Sequence, residues 1–179
     1  MSVLTGPEIE RRISIGDISV DPYDPQWVGS NSLDLHLGEE LMVYRREVGE
    51  RLGIPLDPEN LPPLEPIPLF GHFDNRWILI PGRLYLGATK ERVACQGLTW
   101  SLGLRSSAGR LGIDSLAGIG DDGFDGNITV ELTVAEPLLL RPGARLFQLT
   151  FSTLVGERRP YAGRYQHSTG IIPSRMAER

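Results

Sequence analysis

A chain of 179 residues with 40% apolar content has the size and composition of one globular domain with a sizeable core. Its formal net charge of -5 argues against a nucleic-acid binder built on a broad basic face, although a few arginines can still serve a small anion locally. No apolar run is long enough to span a bilayer, and Met1 to Glu8 lacks the basic flank and apolar stretch of a secretory signal. The single cysteine, Cys95, leaves no internal disulfide, so a cytoplasmic protein engaging neither membrane nor nucleic acid is expected.

The 21 glycines and 14 prolines favour many short strands joined by turns over a helix bundle. Thr5-Gly6-Pro7-Glu8 is a helix start, with Thr5 placed to cap and Glu8 where a capping box needs its acid. Ile9 and Ile13 share a face of that helix, which ends near Gly16. Ile18 to Val20 reads as a short strand closed by Asp21-Pro22. Ser32 to Gly38 alternates as a half-buried strand does, and Leu41 to Tyr44 reads as another. From about Arg51 to Pro68 the chain is proline-rich and aperiodic, which reads as a long surface excursion. Trp77 to Ile80, Leu84 to Thr89 and Thr99 to Leu102 are further strands. Asn127 to Val134 alternates again, with Ile128, Val130 and Leu132 on one face and Thr129, Glu131 and Thr133 on the other. Leu138 to Leu140, the turn Arg141-Pro142-Gly143, and Leu146 to Phe151 complete the set. Strands at this spacing imply a mainly β fold, an antiparallel barrel or jelly roll with a short N-terminal helix. All 179 residues are read as one domain, with a polar, mobile tail from about Tyr161.

One cysteine and three scattered histidines (His36, His72, His167) cannot build the ligand triad of a zinc nucleobase deaminase, and a lone histidine is more often structural or solvated. There is no nucleophile elbow, P-loop lysine motif or dinucleotide fingerprint. What the chain does carry is Arg105-Ser106-Ser107-Ala108-Gly109-Arg110-Leu111-Gly112, two hydroxyls at a helix start between two arginines. Free N–H groups, hydroxyls and guanidinium forks suit a polyphosphate; a plain capped helix with solvated arginines is the equal alternative. Asp121 to Gly126 is a glycine-bearing turn that lets backbone approach a ligand, or else an ordinary acidic hairpin turn. Glu131 lies mid-strand: facing solvent it is unremarked, but facing a closed pocket it gains a raised pKa suited to proton transfer.

Taken in order, these segments resemble the dCTP deaminase family of the trimeric dUTPase superfamily over nearly the whole chain. Asn31 to Gly38 is similar to its N-S-x-D-x-x-L-G signature, and Leu79 to Gly82 with Thr89-Lys90-Glu91 to its L-x-P-G and T-x-E pattern. Arg105 to Gly112 matches R-S-S-x-x-R-L-G; Asp121 to Gly126 and Val130-Glu131-Leu132 match D-x-G-F/W-x-G and L-E-L/F. The resemblance implies hydrolytic deamination of dCTP to dUTP and ammonia without a catalytic metal. It implies Glu131 as general base, with Ser106, Ser107 and Arg110 holding the triphosphate beside Arg105 and orienting the water. It further implies Asp121 on the deoxyribose hydroxyl and the backbone around Thr129 and Val130 on the cytosine edge. Tyr161, Arg164 and Ser168 fall at tail positions that contact nucleotide. The resemblance also implies that magnesium rides on the triphosphate, that no zinc takes part, and that sites lie between the subunits of a homotrimer.

The chain also departs from the family. The stretch Gly112 to Asp121 is shorter and lacks a usual histidine and threonine, Gly120 stands where isoleucine usually precedes the aspartate, and Ser168 replaces a usual glutamine with Gln166 close by. These departures bear on substrate choice and feedback control. Two alternatives stay open: a dUTPase or a bifunctional enzyme giving dUMP and pyrophosphate, and a non-catalytic nucleotide-binding protein that kept the fold.

Overall fold

The computed structural model describes residues 2–45, 56–116 and 118–178. Helix α1 (Gly6–Ser14) opens the chain and buries Ile9. Pro7 sits in its first turn, where a missing N–H leaves no bond unmade. Thr5 is the N-cap, but its side chain makes no capping hydrogen bond. The expected capping box is displaced: Glu8 accepts from Arg11 at 2.7 Å and Arg12 at 2.9 Å, and these guanidiniums, Arg11 first, hold its carboxyl down to about 2. Gly16 follows the helix at a φ of 83°, a conformation glycine adopts without strain.

Among the described residues eleven strands follow: β1 (Ile18–Asp21), β2 (Leu33–Tyr44), β3 (Leu64–Pro66), β4 (Trp77–Leu79), β5 (Tyr85–Cys95), β6 (Leu98–Leu104), β7 (Ile113–Ser115), β8 (Gly118–Gly120), β9 (Asp125–Val134), β10 (Leu138–Leu140) and β11 (Arg145–Thr153). A four-residue helix, α2 (Ser106–Gly109), lies between β6 and β7. The pairings are antiparallel, in the order β7-β9-β5-β2-β11-β6-β8, with β1 added to β5 and β3 to β2. β10 and β4 form a separate ribbon. The sheet curls into a half-barrel, the mainly β antiparallel architecture expected, with α1 at its N-terminal end.

Some boundaries differ from the sequence reading. The two strands expected on either side of Gly38-Glu39-Glu40 are one strand, β2, whose register with β5 shifts between Leu37 and Leu41. Gly38 permits that close approach, since a Cβ there would lie 3.1 Å from the Ala88 carbonyl oxygen. Of the proline-rich excursion, residues 51–55 lie outside the described residues, and Leu64–Pro66 is not loop but an edge strand on Met42–Tyr44. β7 and β8 occupy the stretch between Gly112 and Asp121, each too short to show a period-two signal.

One apolar cluster runs through the sheet. Leu33, Leu35, Leu37 and Leu41 of β2 meet Val130 and Leu132 of β9 and Phe147, Leu149 and Phe151 of β11, with Trp77 and Tyr85 fully buried. Every second residue of β9 is thereby committed to the core, and its alternate residues to the other face.

Candidate active site

That alternation places Glu131. Ile128, Val130 and Leu132 are buried, while Thr129 and Glu131 are half-buried on the opposite face. Glu131 lines a cavity of about 520 Å³ together with Trp100, Phe124, Asn127, Thr129 and Ser168, a size that suits a small organic ligand. Burial pushes the Glu131 carboxyl above its ordinary value, opposed by a weaker backbone hydrogen bond. A carboxylate made more basic in this way is fitted to take and return a proton.

The turn before β9 contributes a wall. Gly123 adopts a φ of 84°, and Phe124 packs edge-on against Trp100 with ring centroids 5.4 Å apart. Trp100 in turn lies directly over Gly120, where a Cβ would fall 1.6 Å from its Cε2. The departure at Gly120 therefore has a physical reason: the indole occupies the volume a side chain there would fill. Asp121 is exposed, as a ligand-facing acid can be. Its neighbour Asp122, which sequence reasoning passed over, is buried and accepts two bonds from Arg158 at 2.7 and 2.9 Å and one from the Gly97 N–H at 2.6 Å. Arg158 holds its carboxyl below the usual range, helped by Gly97 and opposed by burial. Two adjacent aspartates look alike in sequence, and no periodic signal separates them.

Ser106 and Ser107 are exposed on α2, which buried Ala108 anchors, and Arg110 is exposed at its C-cap. The guanidinium of Arg105 lies 3.3 Å from the carboxylate of Asp34, which also meets Arg145 at 3.7 Å. Among the described residues lining the Glu131 cavity, none comes from Arg105 to Arg110, and Asp121 is not one of them. Within one chain, therefore, the serine-arginine segment and Glu131 are not brought into one pocket.

The tail does reach the cavity. Tyr161 donates its N–H to the Asp122 carbonyl at 2.7 Å, and its ring lies 6.3 Å from Phe124. The buried Ser168 donates its hydroxyl to the Asn127 carbonyl at 2.7 Å and accepts the Asn127 N–H on its own carbonyl at 3.0 Å. Gln166 bridges the Gly123 carbonyl and the Asp125 N–H, and the Ile172 N–H donates to Thr129 Oγ1 at 3.0 Å. Arg164 and Arg175 each donate to the other's carbonyl. Thr129 and Val130 pair with Ala88 and Gly87 of β5, while β7 covers β9 only at Leu132 to Val134. That leaves the Thr129–Val130 stretch beside the tail, not beneath a strand.

The histidines divide. His36 Nδ1 lies 2.7 Å from Glu91 Oε1, and the same buried carboxylate accepts the His36 N–H at 2.9 Å. His167 stands 3.0 Å from Asp125. The side chain of His72 lies outside those described. Among the described residues no group of three or more His, Cys, Asp or Glu side chains gathers, and no helix is long and apolar enough to cross a membrane.

On this curled antiparallel sheet a glutamate of raised basicity on β9, a glycine turn before it and a tail across its cavity together form a candidate small-ligand site. Residues 3–154 match the family described as dCTP deaminase-like, and the chain belongs to that family. It is 38% identical over 175 residues to a "dCTP deaminase, dUMP-forming" of Leptospira biflexa, covering 96% of this chain and 94% of the relative. It is 36% identical over 177 residues to a "dCTP deaminase" of Rhodopirellula baltica, covering 97% and 84%. The fold is similar to that of a solved 2'-deoxycytidine 5'-triphosphate deaminase from Agrobacterium tumefaciens, with a TM-score of 0.62 at 20% identity, over 84% of this chain and 47% of that one.

Proposed function

We propose that this chain converts dCTP to dUMP in two hydrolytic steps. Water adds to C4 of cytosine while Glu131 takes one of its protons and delivers it to N3; Glu131 then moves the remaining hydroxyl proton to the amino group, which leaves as ammonia, and C4 keeps the oxygen as the carbonyl of uracil. A second water, positioned by Asp121, attacks the α-phosphorus, and pyrophosphate leaves. The observation that carries this reading is Glu131 itself, a carboxyl raised by burial inside a ligand-sized cavity. The dUMP-forming name of the Leptospira relative supports the second step.

The substrate enters as its magnesium complex, the ion resting on phosphate oxygens. Ser106, Ser107 and Arg110 bind the triphosphate with Arg105 behind them, and the Thr129–Val130 backbone reads the cytosine edge. Tyr161, Arg164 and Ser168 belong to the tail that closes the site. The working assembly in this reading is the homotrimer that the family resemblance implies; the exposure of the serine-arginine segment, apart from the Glu131 cavity in one chain, supports sites that join two subunits.

Incubation with dCTP and magnesium, followed by chromatography of every product, tests the proposal. Equal amounts of ammonia, dUMP and pyrophosphate are expected. Ammonia with accumulating dUTP favours the second reading, a deaminase that stops at dUTP, which the name of the Rhodopirellula relative supports. Pyrophosphate from dUTP with no ammonia from dCTP, or tight binding with no turnover, refutes deamination.

A further inference from the structure

The tail that crosses the Glu131 cavity is rooted at an ion pair to which the reaction above assigns no task. Residues 154–160 leave β11 along an exposed path. Within it Arg158 reaches back to grip both oxygens of Asp122, at 2.7 and 2.9 Å. Asp122 is 5% exposed, and its Oδ1 also accepts the Gly97 N–H, so its carboxylate is fixed from two sides. The grip is reinforced along the backbone: the Tyr161 N–H donates to the Asp122 carbonyl, and a Cβ at Gly123 would lie 3.1 Å from Pro160. The same turn carries Asp121 on one side and Phe124 on the other.

We propose that Asp122 and Arg158 are positioning residues whose ion pair pins the root of the C-terminal tail to the Asp121 turn, so that the tail enters the Glu131 cavity in register. The inference rests on the reading of that cavity as the nucleotide site. Ordering the tail over a ligand carries an entropic penalty, and a fixed root lowers it before the ligand arrives. A two-pronged guanidinium–carboxylate bond fixes direction as well as distance. The partner that is buried cannot easily let go, because an unpaired buried carboxylate is strongly unfavourable.

Amide hydrogen exchange on the unliganded protein, paired with steady-state kinetics on dCTP, tests the pin. In R158M, exchange at residues 159–178 should quicken about tenfold while β5 and β9 keep their protection, and KM for dCTP should rise about tenfold with kcat changed less than about twofold. R158K, which keeps the charge but loses the fork, should fall between R158M and the unaltered protein in both readouts. An R158M protein with unchanged tail exchange and KM overturns the proposal. So does exchange that quickens equally in β5 and β9, since that marks general destabilisation. If R158M does not fold, R158K alone decides, and parental behaviour in both readouts overturns the pin. An unaltered protein that turns over no dCTP refutes the function above, whereas the exchange comparison still decides the pin.

Discussion

Gly120 offers a sharp test of how the cavity wall is built. Placing a methyl group there, G120A, sets a carbon 1.6 Å from Trp100 Cε2, 2.0 Å from Cζ2 and 2.1 Å from Nε1. Carbon atoms rest near 3.5–4 Å apart, so about 2 Å must be recovered. Gly120 is the cross-strand partner of Trp100, and β8 is a three-residue edge strand. Either β8 peels from β6, or the buried indole swings off and loses its edge-on contact with Phe124. Overpacking of this kind costs about 1–3 kcal/mol, and a lost aromatic contact about 0.5–1.5 kcal/mol more. At roughly 2–4 °C per kcal/mol for a chain of this size, the melting temperature should fall about 5–15 °C. Thermal unfolding at fixed chain concentration reads the effect, and a cycle with W100L assigns it, because the alanine should cost far less once the indole is gone. A G120A protein melting within about 1 °C of its parent, or a strictly additive cycle, would refute the reasoning.

E131Q should lower ammonia release by about 10²–10⁴-fold while nucleotide still binds, measured by coupled ammonia assay and calorimetry. Because burial raises the Glu131 carboxyl above 4.5, activity should fall on the acid side with an inflection above that value. The same shift sets the sign for stability: the contribution of Glu131 is complete below its unfolded value and lost as pH rises through the folded one, so E131Q should melt higher than the parent at neutral pH and converge with it in acid. Mixing inactive E131Q with inactive R110A chains, unfolding and refolding them together, should restore activity if sites join two subunits, to about a quarter of parental sites at equal mixing; no recovery would place both residues in one chain's site. G126A sets a Cβ 2.3 Å from Ser168 Oγ and should push the tail off β9, raising KM for dCTP and speeding tail proteolysis.

Much of this was legible in the chain alone, and the reason is local. Period-two alternation states which face a residue occupies, so Ile128, Val130 and Leu132 were read as a core face and Glu131 as lying across from it, and the sheet agrees. Pro-Gly pairs mark turns, and strands flank Pro81-Gly82 and Pro142-Gly143 as the pattern puts them, although β5 runs on past Thr89 to Cys95. The order of the motifs was enough to mark the family. What failed was short or competitive. β3, β7 and β8 are held by neighbouring strands, not by any alternation of their own. The capping box lost to two guanidiniums one turn away.

The candidate site itself is a matter of long-range contact, which no local pattern encodes. Asp121 and Asp122 are adjacent acids until Arg158 arrives from 36 residues downstream and buries the second one's charge. Gly120 is a mere departure from a motif until the indole of Trp100 is seen lying across it. Ser168 stands where a glutamine is usual until its hydroxyl meets the Asn127 carbonyl. Sequence by itself determined the face on which Glu131 lies, because a strand's geometry repeats every two residues. Only the tertiary structure decided that this face is walled by Trp100, Phe124 and the tail, because burial depends on which distant segments fold against it, and that burial is what raises Glu131's affinity for a proton.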